Sequence, residues 1–280
     1  MIAVDLRTHI TSDAEPPRHV YLRELAGYDE LSNGSAVELV DGLLLDRPGA
    51  AARPGDARRL TLSEVDRVLA AVYRGLYGDA VECHVTCPDC RSSYELSFTL
   101  SDMWDALTEA TAEDEELLAA LEGPDSHGVY RLGLLRFRLP TGGDLAEVAS
   151  LEPEASAAAL RARCVLGEAA GDGRTAPERE ETPEREETLD RVMSLVGPTL
   201  DTDLDGVCPE CGAEQAVPFR IDEFLFAALR RESALLTREV HELARAYRWS
   251  RREILEMPRR ERRQHAGLVL AASVSDGGWA

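Results

Sequence analysis

Four cysteines stand at spacings that suit metal binding. Cys87-Pro88-Asp89-Cys90 runs on through Phe98, Leu100 and Trp104, and Cys208-Pro209-Glu210-Cys211 runs on through Phe219, Ile221 and Leu225. The two segments align without a gap although more than a hundred residues separate them. A CPxC turn followed by a short strand is half of a zinc ribbon. Two halves supply the four thiolates of a closed tetrahedral site, structural rather than catalytic because no position is left for water. The spacing therefore predicts one zinc ion on Cys87, Cys90, Cys208 and Cys211. Pro88 and Pro209 would fix the two turns. Gly212, after the second pair, takes a left-handed conformation without strain, whereas the first copy carries Arg91 there. The competing readings are two metal-free turns or a redox pair, although neither CxxC opens a helix after a strand as a thioredoxin-like motif requires. Cys83 and His84 are either substitute ligands or a strand residue and its exposed neighbour. Cys164 reads as a small core residue.

Little else in the chain points to chemistry. His9, His19, His84, His127, His241 and His265 lie in no hydrolase, kinase or metalloprotease motif. Gly171-Asp172-Gly173 lacks the strand and helix of a phosphate-binding loop. The many paired carboxylates read as solvated faces. The expectation is a protein that is not an enzyme. Towards the C-terminus, Glu239 to Ser250 combines an amphipathic helix with a basic surface. It is either a helical hairpin packed on the body or a partner-binding helix pair. In the second case Tyr247 and Trp249 anchor the partner, with Arg248 and Arg252 beside them.

Composition narrows the class. The formal net charge is −21, which disfavours nucleic acid as the main partner. The basic residues are all arginine, and from Arg230 to Arg263 eleven Arg face six Glu, so the acidic excess lies upstream. No run of eighteen apolar residues suggests a membrane span. The first residues lack a secretory pattern, so cytoplasmic location and reduced thiols are expected.

The elements that must position the cysteines follow from pattern. Met1 to Pro17 reads as weakly ordered, with a helical signal near Val20 to Leu25 and a loop from Arg47 to Arg58. Thr61-Leu62-Ser63-Glu64 is a capping box, followed by apolar residues at helical spacing until Gly78. Val81 to Leu100 reads as a hairpin, with Ser101 or Asp102 capping a helix, and Glu109 to Glu122 continuing it. The alternation in Val129 to Leu139 slips by one residue, which predicts a bulge or two short strands. A turn at Pro140 to Asp144 and a helix from Glu154 to Leu166 follow. Ala169 to Thr188 has no large apolar residue and reads as linker. Then come a helix over Leu189 to Leu200, the second hairpin, one long helix from Phe224 to Tyr247, and a capped helix after Ser250. Pro258 precedes a last helix, Arg259 to Leu270, and the tail from Ser273 should fray. The expected fold is α+β, predominantly helical, with a split zinc-ribbon-like module formed by two CPxC hairpins. Residues 1–80 form an N-terminal helical region, and 81–167 hold the first hairpin with a strand-and-helix insert. Residues 168–188 are a disordered acidic linker, and 189–272 hold a helix, the second hairpin and the C-terminal helices.

An ordered series of motifs resembles a known family. Gly78-Asp79 precedes Val85-Thr86-Cys87-Pro88-Asp89-Cys90. Phe137-Arg138-Leu139-Pro140-Thr141-Gly142-Gly143-Asp144-Leu145 and Arg163-Cys164 follow. The second half offers Cys208-Pro209-Glu210-Cys211, then Phe219-Arg220-Ile221-Asp222-Glu223-Phe224-Leu225, then Arg238 to Ala244 and Tyr247-Arg248-Trp249-Ser250. Over about residues 60 to 270 the chain resembles the baseplate hub assembly chaperones of T-even-type contractile phage tails, which have relatives in phage-tail-like contractile injection systems. The resemblance implies a cytoplasmic, non-enzymatic protein that helps assemble the spike-bearing hub, with hub or spike proteins as partners. The alternative class is a zinc-ribbon nucleic-acid-binding or transcription-related adaptor, favoured by the Arg-rich C-terminus and opposed by the net charge.

Overall fold

A computed structural model describes residues 1–6, 18–168 and 183–276. The fold is α+β. A ribbon of β1 (Ile2–Asp5) and β2 (His19–Leu22) leads to α1 (Gly27–Glu30), α2 (Ala36–Leu43), a 3-10 turn at Ala57–Arg59, and α3 (Leu62–Tyr77). Thr61 and Glu64 cap α3 reciprocally, and Gly78 ends it at φ 88°. The first cysteine hairpin, β3 (Ala80–Thr86) with β4 (Ser93–Thr99), runs directly into α4 (Leu100–Thr108). After α5 (Ala112–Ala119) comes an antiparallel sheet in the order β5 (Leu121–Glu122), β6 (Val129–Leu132), β7 (Leu135–Arg138), β8 (Val165–Glu168). Helices α6 (Gly142–Val148) and α7 (Pro153–Cys164) connect its last two strands. Then α8 (Pro183–Val196) precedes the second hairpin, β9 (Asp201–Val207) with β10 (Glu214–Arg220), which runs directly into α9 (Ile221–Arg231). The chain continues through α10 (Ser233–Tyr247), α11 (Arg251–Glu256) and α12 (Arg259–Asp276).

Packing groups these elements out of chain order. The largest core gathers β1, β2, α2 and α3 with Leu100, Met103 and Trp104 of α4 and Ile221, Leu225 and Leu229 of α9. Helix α3 lies at its centre, with Val68 and Leu69 fully buried. A second core joins Tyr130 and Phe137 of the sheet to Leu189, Val192 and Val196 of α8. A small third core holds Leu243, Ile254 and Ala266 of the last helices.

Several expectations are corrected. His19 to Leu22 is a strand, not a helix start, because Val20 and Leu22 alternate with His19 and Tyr21 and face the core beside the returning β1. Part of the expected weakly ordered start is its partner strand: Val4 and Leu6 are buried, while 7–17 lie outside the described residues. Thr99, not Ser101 or Asp102, caps α4, accepting the Asp102 N–H. The acidic helix is interrupted, because Thr111 caps a new helix at α5, and Leu121–Glu122 is strand. The expected turn at Pro140 to Asp144 opens α6, where Thr141 and Asp144 form a capping box. The end of the expected linker, from Pro183, is already α8, while 169–182 lie outside the described residues. The long C-terminal helix breaks between α9 and α10 at Glu232, whose carboxylate is drawn to Arg259, Arg263 and the Tyr77 hydroxyl. The expected fraying tail continues as helix to Asp276, and 277–280 lie outside the described residues. By contrast, the slip near Leu134 is, as expected, a break between two short strands, β6 and β7.

Candidate metal centre

The two hairpins are built alike, residue for residue. Each is a seven-residue strand, a Cys-Pro-x-Cys turn, a second seven-residue strand, and a helix that starts without a linker. The backbone bonds repeat as well. Arg91 N–H donates to the Cys87 carbonyl at 3.0 Å, and Gly212 N–H to that of Cys208 at 2.9 Å. Cys87 and Cys208 N–H groups donate to Ser92 and Ala213 carbonyls, both at 2.9 Å. Leu100 N–H bonds the Asp79 carbonyl, and its counterpart Ile221 bonds that of Leu200. Arg91 and Gly212 both adopt positive φ, 61° and 73°, so the arginine carries the conformation that glycine supplies in the other turn.

The hairpins meet about a two-fold axis. The Gln215 amide donates to the Tyr94 hydroxyl at 2.7 Å, between residues 121 positions apart that are each other's counterparts. Phe98 meets its counterpart Phe219 edge to face, centroids 5.2 Å apart and planes at 89°. Each residue touching its own equivalent is the signature of a self-complementary interface, here within one chain. Gly206 makes room for it, since a Cβ there would lie 2.7 Å from the Tyr94 hydroxyl.

Under this axis the four thiols converge. Cys87 Sγ lies 3.7 Å from Cys211 Sγ, and Cys90 Sγ lies 3.6 Å from Cys208 Sγ. All four sulfurs lie within 4.8 Å of one another. A tetrahedron with metal–sulfur bonds of about 2.3 Å has edges of about 3.8 Å, so the cage fits one such ion. All the cysteines are free thiols. Cys87 and Cys208 are buried, while Cys90 and Cys211 face solvent at the turn tips. Hydrogen bonds from Ser92 draw the Cys90 thiol down to about 6. The Ala213 N–H pulls Cys211 the same way, but the neighbouring thiols Cys90, Cys87 and Cys208 outweigh it and push Cys211 up to about 12. Such splitting follows from crowding sulfurs that cannot all ionise without a cation among them.

Other residues singled out by sequence lie apart. Cys83 is half-buried on β3 opposite Leu96, with its thiol raised by burial, and His84 is exposed beside Glu95. Neither belongs to the thiol cluster. Cys164 is fully buried, and burial pushes its thiol up to about 11. Tyr247 and Trp249 stack on each other, centroids 4.6 Å apart, and the His265 ring meets both edge to face. Trp249 also packs on the third core, Arg248 caps α10 at φ 61°, and Arg252 pairs with Glu256 at 2.7 Å.

Sequence reasoning missed a buried charge network. Glu30 receives Arg259 Nη1 at 2.6 Å and Arg262 Nη2 at 2.5 Å, and Glu239 receives Arg262 Nε at 2.8 Å. Glu232 takes Arg259 and Arg263 from its other side. Arg262 is fully buried. The signal was the spacing of Arg259, Arg262 and Arg263, which puts three cations near one helical face. Comparison with protein-family models, curated proteins and solved structures finds no match for the chain. Among the described residues no helix is long and apolar enough to cross a membrane.

Proposed function

We propose that this chain is a non-enzymatic assembly factor or hub-associated structural protein for the baseplate of a contractile phage tail or phage-tail-like injection system. In this reading it is a cytoplasmic, predominantly helical protein pinned by a split zinc ribbon. The observation that carries it is the convergence of the two distant CPxC half-sites on one thiol cage, with the C-terminal helices following directly from the second. Four cysteine ligands leave no open position, so the ion orients elements rather than performing chemistry. The ordered motif series supports the family. Its Pro140-Thr141-Gly142-Gly143-Asp144 portion joins two parts of the fold, through bonds from Leu62 N–H to the Pro140 carbonyl and from Gly142 N–H to the Leu60 carbonyl. The chain would cover a hub interface until the correct partner arrives, with Tyr247, Arg248, Trp249 and Arg252 near the contact.

Zinc is tested by elemental analysis, which should give about one ion per chain, lost with Cys208→Ser and Cys211→Ser together. Zinc unchanged in that double variant would refute a shared site. The assembly role is tested by purifying tagged chain from producing cells, where hub or spike proteins should accompany it. A deletion strain that makes normal numbers of complete particles would sink the role. The nucleic-acid adaptor is the weaker reading, because Arg259, Arg262 and Arg263 are engaged by Glu30, Glu232 and Glu239.

A further inference from the structure

The two-fold axis through the hairpins sorts the four thiols into pairs. Cys87 corresponds to Cys208 and Cys90 to Cys211, so the contact of Cys87 with Cys211 at 3.7 Å and that of Cys90 with Cys208 at 3.6 Å are one contact repeated by the axis. Each contact sets an exposed sulfur against a buried one. Cys90 and Cys211 are open to solvent, whereas Cys87 and Cys208 are each 1% exposed. Each contact also crosses from one hairpin to the other, between residues 124 and 118 positions apart. The hairpins hold this register through groups other than sulfur, by the Gln215–Tyr94 bond at 2.7 Å and the edge-to-face contact of Phe98 with Phe219.

An accessible sulfur backed by a second one in contact is the arrangement of an attacking and a resolving thiol. We infer that the cage is a redox-convertible clamp, in which a peroxide joins the hairpins through two disulfides, Cys87–Cys211 and Cys90–Cys208, and so makes the tie independent of metal. In each half the exposed thiol attacks a peroxide oxygen. The O–O bond breaks, an S–OH group forms and one water leaves. The buried thiol then attacks that sulfur. The S–S bond forms, and the hydroxyl departs with the thiol proton as a second water. The two sulfurs give up two electrons, so one peroxide is reduced for each disulfide. In a reducing compartment the four thiols persist. Bonds between such distant segments constrain the unfolded chain strongly. Cys87–Cys90 and Cys208–Cys211 would each close only a short turn and leave the hairpins untied. Cys83 and Cys164 stand outside the cage and take no part.

That zinc occupies the reduced cage rests on the function proposed above; the pairing of the sulfurs does not. The test treats the full chain, as purified, with hydrogen peroxide. Remaining thiols are capped with N-ethylmaleimide, and the disulfides are mapped by mass spectrometry without reduction. Four cysteines allow three pairings, and the cross-hairpin pairing should exceed either other by at least about tenfold. Bound zinc should fall to near zero as the disulfides form, and dithiothreitol should return the four thiols. A predominance of the local pairing, or of Cys87–Cys208 with Cys90–Cys211, overturns the inference. So does sulfinic acid as the end product at Cys90 and Cys211, or zinc fully retained in excess peroxide. In thermal melts a chelator should destabilise the reduced chain and leave the oxidised one unmoved; an oxidised chain that melts as low as the chelated reduced one also overturns it. Cross-hairpin disulfides in a chain that carries no zinc as purified would keep the inference and defeat the zinc reading. Local disulfides formed from a chain with one zinc would do the reverse.

Discussion

At position 91 the backbone is left-handed, and the side chain there is arginine. An L-residue in that conformation costs roughly 1–2 kcal/mol, which glycine avoids. The matching turn shows the cheaper solution in Gly212. Arg91→Gly should therefore stabilise the metal-loaded protein, by about 0.5–1 kcal/mol once the greater freedom of glycine in the unfolded chain is subtracted. Gly212→Arg should lose a similar amount. Urea denaturation of zinc-loaded protein reads both, and a midpoint unmoved by Arg91→Gly would show that the first turn stores no strain. At this scale the cysteine pairs, the prolines and the aligned phenylalanines were legible in the sequence, because turn chemistry is local. The pairing of Tyr94 with Gln215 was not, since two unlike polar residues gave no hint that they face each other across an axis.

The Gly142–Gly143 pair shows what an element junction demands. A Cβ on Gly142 would come within 2.7 Å of Val37 Cγ2 and 3.3 Å of the Ala57 carbonyl. The start of α6 thus seats directly against α2 and the 3-10 turn, clipped by the Thr61–Thr141 bridge. Asp144 fixes its direction, accepting the Thr141 N–H at 2.9 Å and holding Arg138 by two bonds at 2.6 and 2.8 Å. Gly142→Val overpacks this contact and should cost about 1–3 kcal/mol. The loss should appear in thermal melts with zinc content unchanged, since the thiol cage stands on other elements. A melt equal to the parent would mean that the junction can open at no cost. Elements with strong caps, such as α3 and α11, could be read from sequence. Those decided by contact could not. Ile2–Asp5 becomes a strand only because β2 returns beside it, and residues 140–144 look like a loop until the packing of α6 on Val37 explains their glycines.

Over the whole molecule, the two halves of the chain are joined by different kinds of interaction in different places. At the hairpins the tie is four thiols and a self-complementary interface. In the largest core it is apolar contact between α3 and α9, including Tyr73 with Phe224 at 5.6 Å. The last helices are tied to the N-terminal unit by backbone bonds, by Leu255 packed on Gly27, and by charge. Arg259 N–H donates to the Leu25 carbonyl at 2.7 Å, Ala26 bridges to Pro258, and Glu30 sits between Arg259 and Arg262. With the third core so small, this network sets where α10 to α12 sit. Three carboxylates, Glu30, Glu232 and Glu239, balance three guanidiniums, so removing one leaves the buried cluster with an excess positive charge. Such a deletion typically costs about 3–5 kcal/mol, far more than an exposed pair is worth. Glu30→Ala should therefore lower stability by about that amount, with the loss concentrated at the docking of the last helices. Hydrogen exchange should quicken in α1, α11 and the first turns of α12, while α3 keeps its protection and the zinc content stays near one per chain. Glu30→Gln keeps the shape and one acceptor, and should fall between Ala and the parent. Uniform loss of protection, or loss of zinc with Glu30→Ala, would mean that the network and the hairpins form one cooperative unit, and that the last helices have no docking equilibrium of their own.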